Sequence, residues 1–132
     1  PLSHPQAQLY RPAAFKRRMS SYQSGLEGEE QACSYLKAMG MQVLCMRYRA
    51  DGGEIDIIAS DGGTVRFTEV KYRPQSRLGA GIAVIDEDKR RRLLRAAKAY
   101  LKEKRPGASW QIDLIEITRA GVYLIEDAAR GR

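Results

Sequence analysis

Two short segments, Glu54 to Ser60 (EIDIIAS) and Thr64 to Tyr72 (TVRFTEVKY), flank Asp61-Gly62-Gly63 and leave this chain few folds to choose from. Glycine between two strand-like runs supplies the positive φ that a tight hairpin turn requires. Side chains alternate along a strand, so Val65, Phe67, Glu69 and Lys71 share one face. Two apolar residues followed by an acid and a base put a charged pair where the buried face reaches the strand's end. On the preceding strand Asp56 shares a face with Ile58, again an acid continuing an apolar row. Closing the hairpin brings Asp56 opposite the Thr68–Glu69 region.

The rest of the chain supplies layers for this hairpin. Leu26 to Met39 reads as a helix with Leu26, Ala32, Cys33, Leu36 and Met39 on one face, stopped by Gly40. Met41 to Tyr48 reads as a strand, and Ala50-Asp51-Gly52-Gly53 as a turn. Arg73 to Ala83, with Pro74, Gly79 and Gly81, reads as a loop. Ile85 to Lys104 is a second helix with acids at its start and bases in its body, the polarity that suits a helix dipole. Trp110 to Thr118 and Val122 to Glu126 form a last hairpin about Arg119-Ala120-Gly121. The order α-β-β-β-α-β-β, with the second helix as a crossover, predicts an α/β fold: a mixed sheet with a helix on at least one face.

Residues 25–128 are expected as a single domain, preceded by a flexible basic arm over 1–24 and followed by a tail over 129–132. Pro1 to Ser24 contains Lys16-Arg17-Arg18 but no apolar segment of the kind a secretory signal needs. No apolar run approaches the ~20 residues of a membrane span. Cys33 and Cys45 lack the number and spacing of a disulfide scaffold or zinc site and read as core thiols of a cytoplasmic protein.

Charge narrows the partners. The 132 residues carry a formal net charge of +7. Lys89, Arg90, Arg91, Arg92, Arg95, Lys98, Lys102, Lys104 and Arg105 crowd one segment with a single acid, Glu103. A charge run is often only a solvated helix face, but the acids that normally intersperse one are missing here. Polyanion binding, nucleic acid first, is the expectation, with Lys89 to Lys98 as the contacting stretch.

The charged cluster invites a chemical reading. Glu29 is spaced three and four from Ala32 and Cys33, so it lies on the core-facing stripe and needs a buried cation, whether Lys, Arg or a metal. Two or three carboxylates around one point form a hard oxygen site suited to Mg²⁺ or Mn²⁺. Lys71 aimed at the same spot would orient a water or stabilise charge developing on phosphorus. The plain alternative is an ion-pair network at a strand end.

The strings Gly53-Glu54-Ile55-Asp56-Ile57-Ile58 and Thr68-Glu69-Val70-Lys71-Tyr72-Arg73, with Gly25-x-x-Gly28-Glu29-x-x-Ala32 before them, resemble the YraN-like family of uncharacterised bacterial proteins. The match runs over about residues 25–118 and takes in Lys89 and Ile112-Asp113-Leu114. That family is placed in the restriction-endonuclease-like superfamily and is similar to archaeal-type Holliday-junction resolvases. The resemblance implies a restriction-endonuclease-like fold, Asp56 and Glu69 as metal-binding acids, Lys71 as the catalytic lysine and Glu29 as a helix-borne acid of the site. Ile55 stands where the superfamily signature has proline. The function so implied is a metal-dependent DNA endonuclease acting on branched or repair intermediates.

Glu54 is a secondary candidate, a supporting acid near Asp56 or a turn-side charge. Asp113 reads as half of a structural ion pair, and Lys89 as touching either the site or a phosphate backbone. Two other functions compete: a nuclease fold that binds DNA or RNA without cutting, and a subunit whose basic helix docks an acidic protein. Gly25-x-x-Gly28 is too weak a signal for an RNA-clamping loop. Cutting both strands of a junction would call for a homodimer, for which Val122 to Glu126 offers an exposed edge.

Overall fold

In a computed structural model, which describes residues 6–7, 21–75 and 86–131, the predicted hairpin forms between β3 (Gly53–Asp61) and β4 (Thr64–Arg73). Before them come β1 (Gln6–Ala7), α1 (Ser21–Ala38) and β2 (Gln42–Ala50). After them come α2 (Glu87–Lys104), β5 (Ser109–Thr118) and β6 (Gly121–Gly131). The six strands make one sheet in the order β1-β6-β5-β4-β3-β2. Its pairs are antiparallel except β4 with β5, which lie parallel because α2 carries the chain across between them. This is the expected α/β class, a mixed sheet flanked by two helices.

Each helix covers one face of the sheet. On one face Ala32, Tyr35 and Leu36 of α1 pack with Ile57, Ala59, Ile115, Ile117 and Leu124 of the sheet. On the other, Leu93, Ala97 and Tyr100 of α2 pack with Ile55, Ile58, Val65, Phe67 and Ile112 of the sheet. The strict alternation assumed for β3 therefore breaks at Asp56, since Ile55 and Ile58 share a face while Ile57 takes the other. Across from it on β2, Arg47 sits at φ 55°, a left-handed kink with no glycine to announce it.

Several sequence expectations shift. Helix α1 starts at Ser21, not Leu26, and Met39 is exposed because the helix closes at Ala38. Its end is a Schellman arrangement: Gly40, at φ 91°, donates to Lys37 O, and Met41 N–H donates to Leu36 O. Asp86 caps α2 by accepting from Lys89 N–H at 2.9 Å. Strand β6 runs on to Gly131, and Arg130 and Gly131 pair with Gln111 and Trp110. The stretch Val122 to Glu126 is not an open edge: Gln6 and Ala7 pair with Leu124 and Tyr123, and Val122 and Leu124 are buried. Residues 1–5 and 8–20 of the expected arm, and 76–83 of the expected loop, lie outside the described residues.

The β2–β3 connection is a two-residue turn between the paired Ala50 and Gly53. Asp51 and Gly52 have φ of 52° and 79°, the signs of a type I′ turn. Gly53 then packs against α2 so closely that a Cβ there would lie 2.0 Å from the Arg92 carbonyl oxygen. Gly53→Ala must push the helix backbone away and is expected to cost about 1–3 kcal/mol, read as a lowered urea midpoint. An unchanged midpoint would show that α2 is not seated on this turn.

Candidate active site

The site forms where β3 and β4 part. Their ladder runs from Asp61–Thr64 to Ile57–Thr68, one step short of Asp56 and Glu69, which its register would set opposite each other. In place of a backbone partner, Val70 N–H donates to Asp56 Oδ2 at 2.8 Å. The carboxylate thus ties the diverging strands together beside Glu69, which is only 3% exposed.

Lys89 reaches down from the first turns of α2, and its Nζ forms an ion pair with Glu69 Oε2. Lys71 comes within side-chain hydrogen-bonding reach of Lys89. The structure therefore brings Asp56, Glu69, Lys71 and Lys89 to one point on the α2 side of the sheet.

Burial dominates the electrostatics at this point. Burial pushes the Asp56 carboxyl up, and the Glu69 charge pushes it further, to about 6. The Val70 hydrogen bond and the Lys89 charge oppose this without cancelling it. Lys89 itself is pulled down by burial, but Glu69 and Asp56 outweigh that and leave it raised.

Among the described residues no three His, Cys, Asp or Glu side chains converge into a metal cage. The donor set is two carboxylates. It fits Mg²⁺ or Mn²⁺, which keep several waters and bind through one or two protein acids. A buried carboxylate beside a second one, as Asp56 is beside Glu69, is what such an ion would hold in its charged form.

Two other predicted acids hold different partners. Glu29 Oε1 accepts from Arg47 Nε at 2.7 Å, so its cation is an arginine. Arg47 lies between the pairs Met46–Ile57 and Tyr48–Ile55, level with Asp56 on the neighbouring strand. Glu54 forms a 3.5 Å pair with Arg49 and adds only a small upward push on Asp56.

The basic helix is partly engaged as well. Arg91 pairs with Asp88 and Glu87, and Arg95 Nε donates to the Asp51 carbonyl at 3.2 Å. Arg92 and Lys98 are exposed, and Arg90 is half-buried.

Sequence reading missed two buried charges. Glu116 is fully buried, pairs in register with Lys71 across the parallel seam, and lies 3.6 Å from Arg73 Nη1. Arg66, flanked by the core residues Val65 and Phe67, bonds Asp113 at 2.5 Å and Asp61 at 2.7 Å on the α1 side. The expected ion pair at Asp113 is this one. Only the buried Ile112 and Leu114 around Asp113 hinted that a cation had to reach it.

Comparison with known proteins finds the same stretch of chain. A family model described as "Uncharacterised protein family UPF0102" matches residues 28–117. A UPF0102 protein of Halorhodospira halophila is 40% identical over 108 residues, covering 82% of this chain and 88% of its own. One of Persephonella marina is 35% identical over 111 residues, covering 83% and 96%. Another, of Desulfosudis oleivorans, is 42% identical over 94 residues, covering 70% and 76%.

Proposed function

This chain belongs to the uncharacterised protein family UPF0102, and we propose that it is a metal-dependent endonuclease that cleaves phosphodiester bonds in DNA. The observation that carries this reading is the meeting of Asp56, Glu69, Lys71 and Lys89 at the fork of β3 and β4. Burial first, and the Glu69 charge second, push Asp56 up to about 6, the kind of perturbation that gathers at functional sites. The predicted likeness to the restriction-endonuclease-like superfamily agrees with the mixed sheet and with the strand positions of these residues.

Asp56 and Glu69 would hold Mg²⁺ or Mn²⁺, an ion that polarises a phosphoryl oxygen and lowers the pKa of a bound water. The residues of the chain do the rest. Val70 N–H fixes the Asp56 carboxylate, and Lys89 fixes that of Glu69. Lys71 stabilises charge developing on the phosphoryl group. Bases of α2 hold the strand by its phosphates, which positions without selecting sequence.

A second reading, a nuclease fold that binds DNA without cutting it, is favoured by the Lys89–Glu69 pair, since an ammonium already sits on one of the two acids. Incubation of the protein and of Lys71→Ala with linear, nicked and four-way DNA in Mg²⁺ or Mn²⁺ separates the two. Cleavage is expected, on the branched substrate first, and slowed on the order of a hundredfold in the variant with DNA affinity kept. Binding without cleavage of any substrate would decide for the second reading.

A further inference from the structure

Beside the carboxylates an open cleft of about 560 Å³ lies between the β2–β3 turn and α2. Arg49, Glu54, Lys89 and Arg92 line it, with Gly52 and Gly53 of the turn. We propose that this cleft is a second phosphate subsite, which holds a DNA backbone phosphate next to the one at Asp56 and Glu69. The proposal rests on reading those acids as a phosphodiester site.

Charge, rigidity and position each point the same way. Three cations face one acid. Among the described residues Glu54 forms an ion pair with Arg49, at 3.5 Å and with the arginine 77% exposed, too loose and too wet to compete strongly with a phosphate. Arg92 makes no ion pair among the described residues. The guanidinium groups of Arg49 and Arg92 offer the planar, forked donors suited to phosphate oxygens.

The two walls are also fixed to each other. Gly53 seats the turn on the backbone of α2, and Arg95 Nε ties the Asp51 carbonyl to the same helix. A preformed cleft binds without first ordering its own walls. Lys89 belongs to both places, since it lines the cleft and pairs with Glu69. A strand held at the acids thus has a basic path onward, past Arg92 toward Arg49. Within the run on α2, Arg92 is therefore the residue that matters for this path, while Arg91 and Arg95 hold α2 and the turn in place.

DNA binding without metal tests this directly. A labelled four-way junction in EDTA is titrated across a range of salt with the protein, Arg49→Ala, Arg92→Ala, the double variant and Lys37→Ala. Lys37 is exposed on α1, across the sheet. Each arginine variant is expected to bind roughly tenfold more weakly, with the slope of log K against log salt shallower by about 0.9. The double variant should lose about 1.8 in slope, and Lys37→Ala should match the wild type. Unchanged slopes in both arginine variants, an equal loss in Lys37→Ala, or a wild type that binds no DNA at low salt would overturn the subsite. A protein that shows these slopes but cuts no DNA would keep the subsite and lose the nuclease. One that cuts with unchanged slopes would do the reverse.

Discussion

Asp56→Asn is expected to lower DNA cleavage on the order of a thousandfold and, at pH 7, to raise the melting temperature. Both effects come from one carboxylate. Asparagine keeps an oxygen to accept the Val70 N–H but brings no charge to a metal ion. The stability gain follows from the raised pKa. Asp56 binds its proton up to about 6 in the folded chain, against an ordinary value of 3.8. Its contribution to stability is therefore fully present below about 3.8 and is lost as pH rises through about 6. At pH 7 the ionised group works against the fold by up to about 3 kcal/mol. Melting curves of the two proteins should coincide near pH 3.5 and separate progressively above it, with the variant the more stable. Mg²⁺ should then raise the melting temperature of the wild type alone. Equal melting at pH 7 would mean that burial does not penalise the Asp56 charge, and the case for a metal there would go with it.

The second large effect belongs to the other face of β4. Arg66→Met is expected to destabilise the fold by about 3–5 kcal/mol, because it strips a fully buried Asp113 of its cation. Burial already pushes the Asp113 carboxyl up in spite of Arg66. Without the guanidinium the acid must take up a proton or stay charged in an apolar layer. A loss of this size is a large part of a domain's whole stability, and the urea midpoint should fall by more than about 1 M. Adding Asp113→Leu should recover much of the loss, since a packed apolar pair can replace a buried ion pair at little cost. A fall of less than about 1 kcal/mol in the single variant would show that water reaches the pair past the half-exposed Asp61. Cleavage at low temperature should survive in this variant, which separates the role of Arg66 from that of Asp56.

The contrast between these faces explains what was legible in the sequence. Face alternation on β4 and the glycine turn were enough to join Glu69 and Lys71 to Asp56, because both depend on neighbours close in the chain. Lys89 was only half legible: the sequence left it touching either the site or a phosphate backbone, because where α2 lands depends on Gly53. Glu29 does hold a cation, but an exposed one and not the buried one expected of the core-facing stripe. That the cation is Arg47 depends on a left-handed kink at a position with no glycine. Arg66 and Glu116 were missed for a related reason. An isolated charge in an alternating strand looks solvent-facing until a helix covers that face.

The parallel seam between β4 and β5 has a consequence for how the chain reaches this fold. Its ten pairs, from Thr64–Ser109 to Arg73–Thr118, each join residues about 45 positions apart, whereas the three hairpins join near neighbours. Hairpins close in microseconds, but the seam must wait for the whole crossover to be organised. The slow step of folding should therefore be the docking of β5 and β6 onto a preformed β2–β3–β4 meander. Asp56 and Glu69 would already face each other in that meander before the sheet is complete.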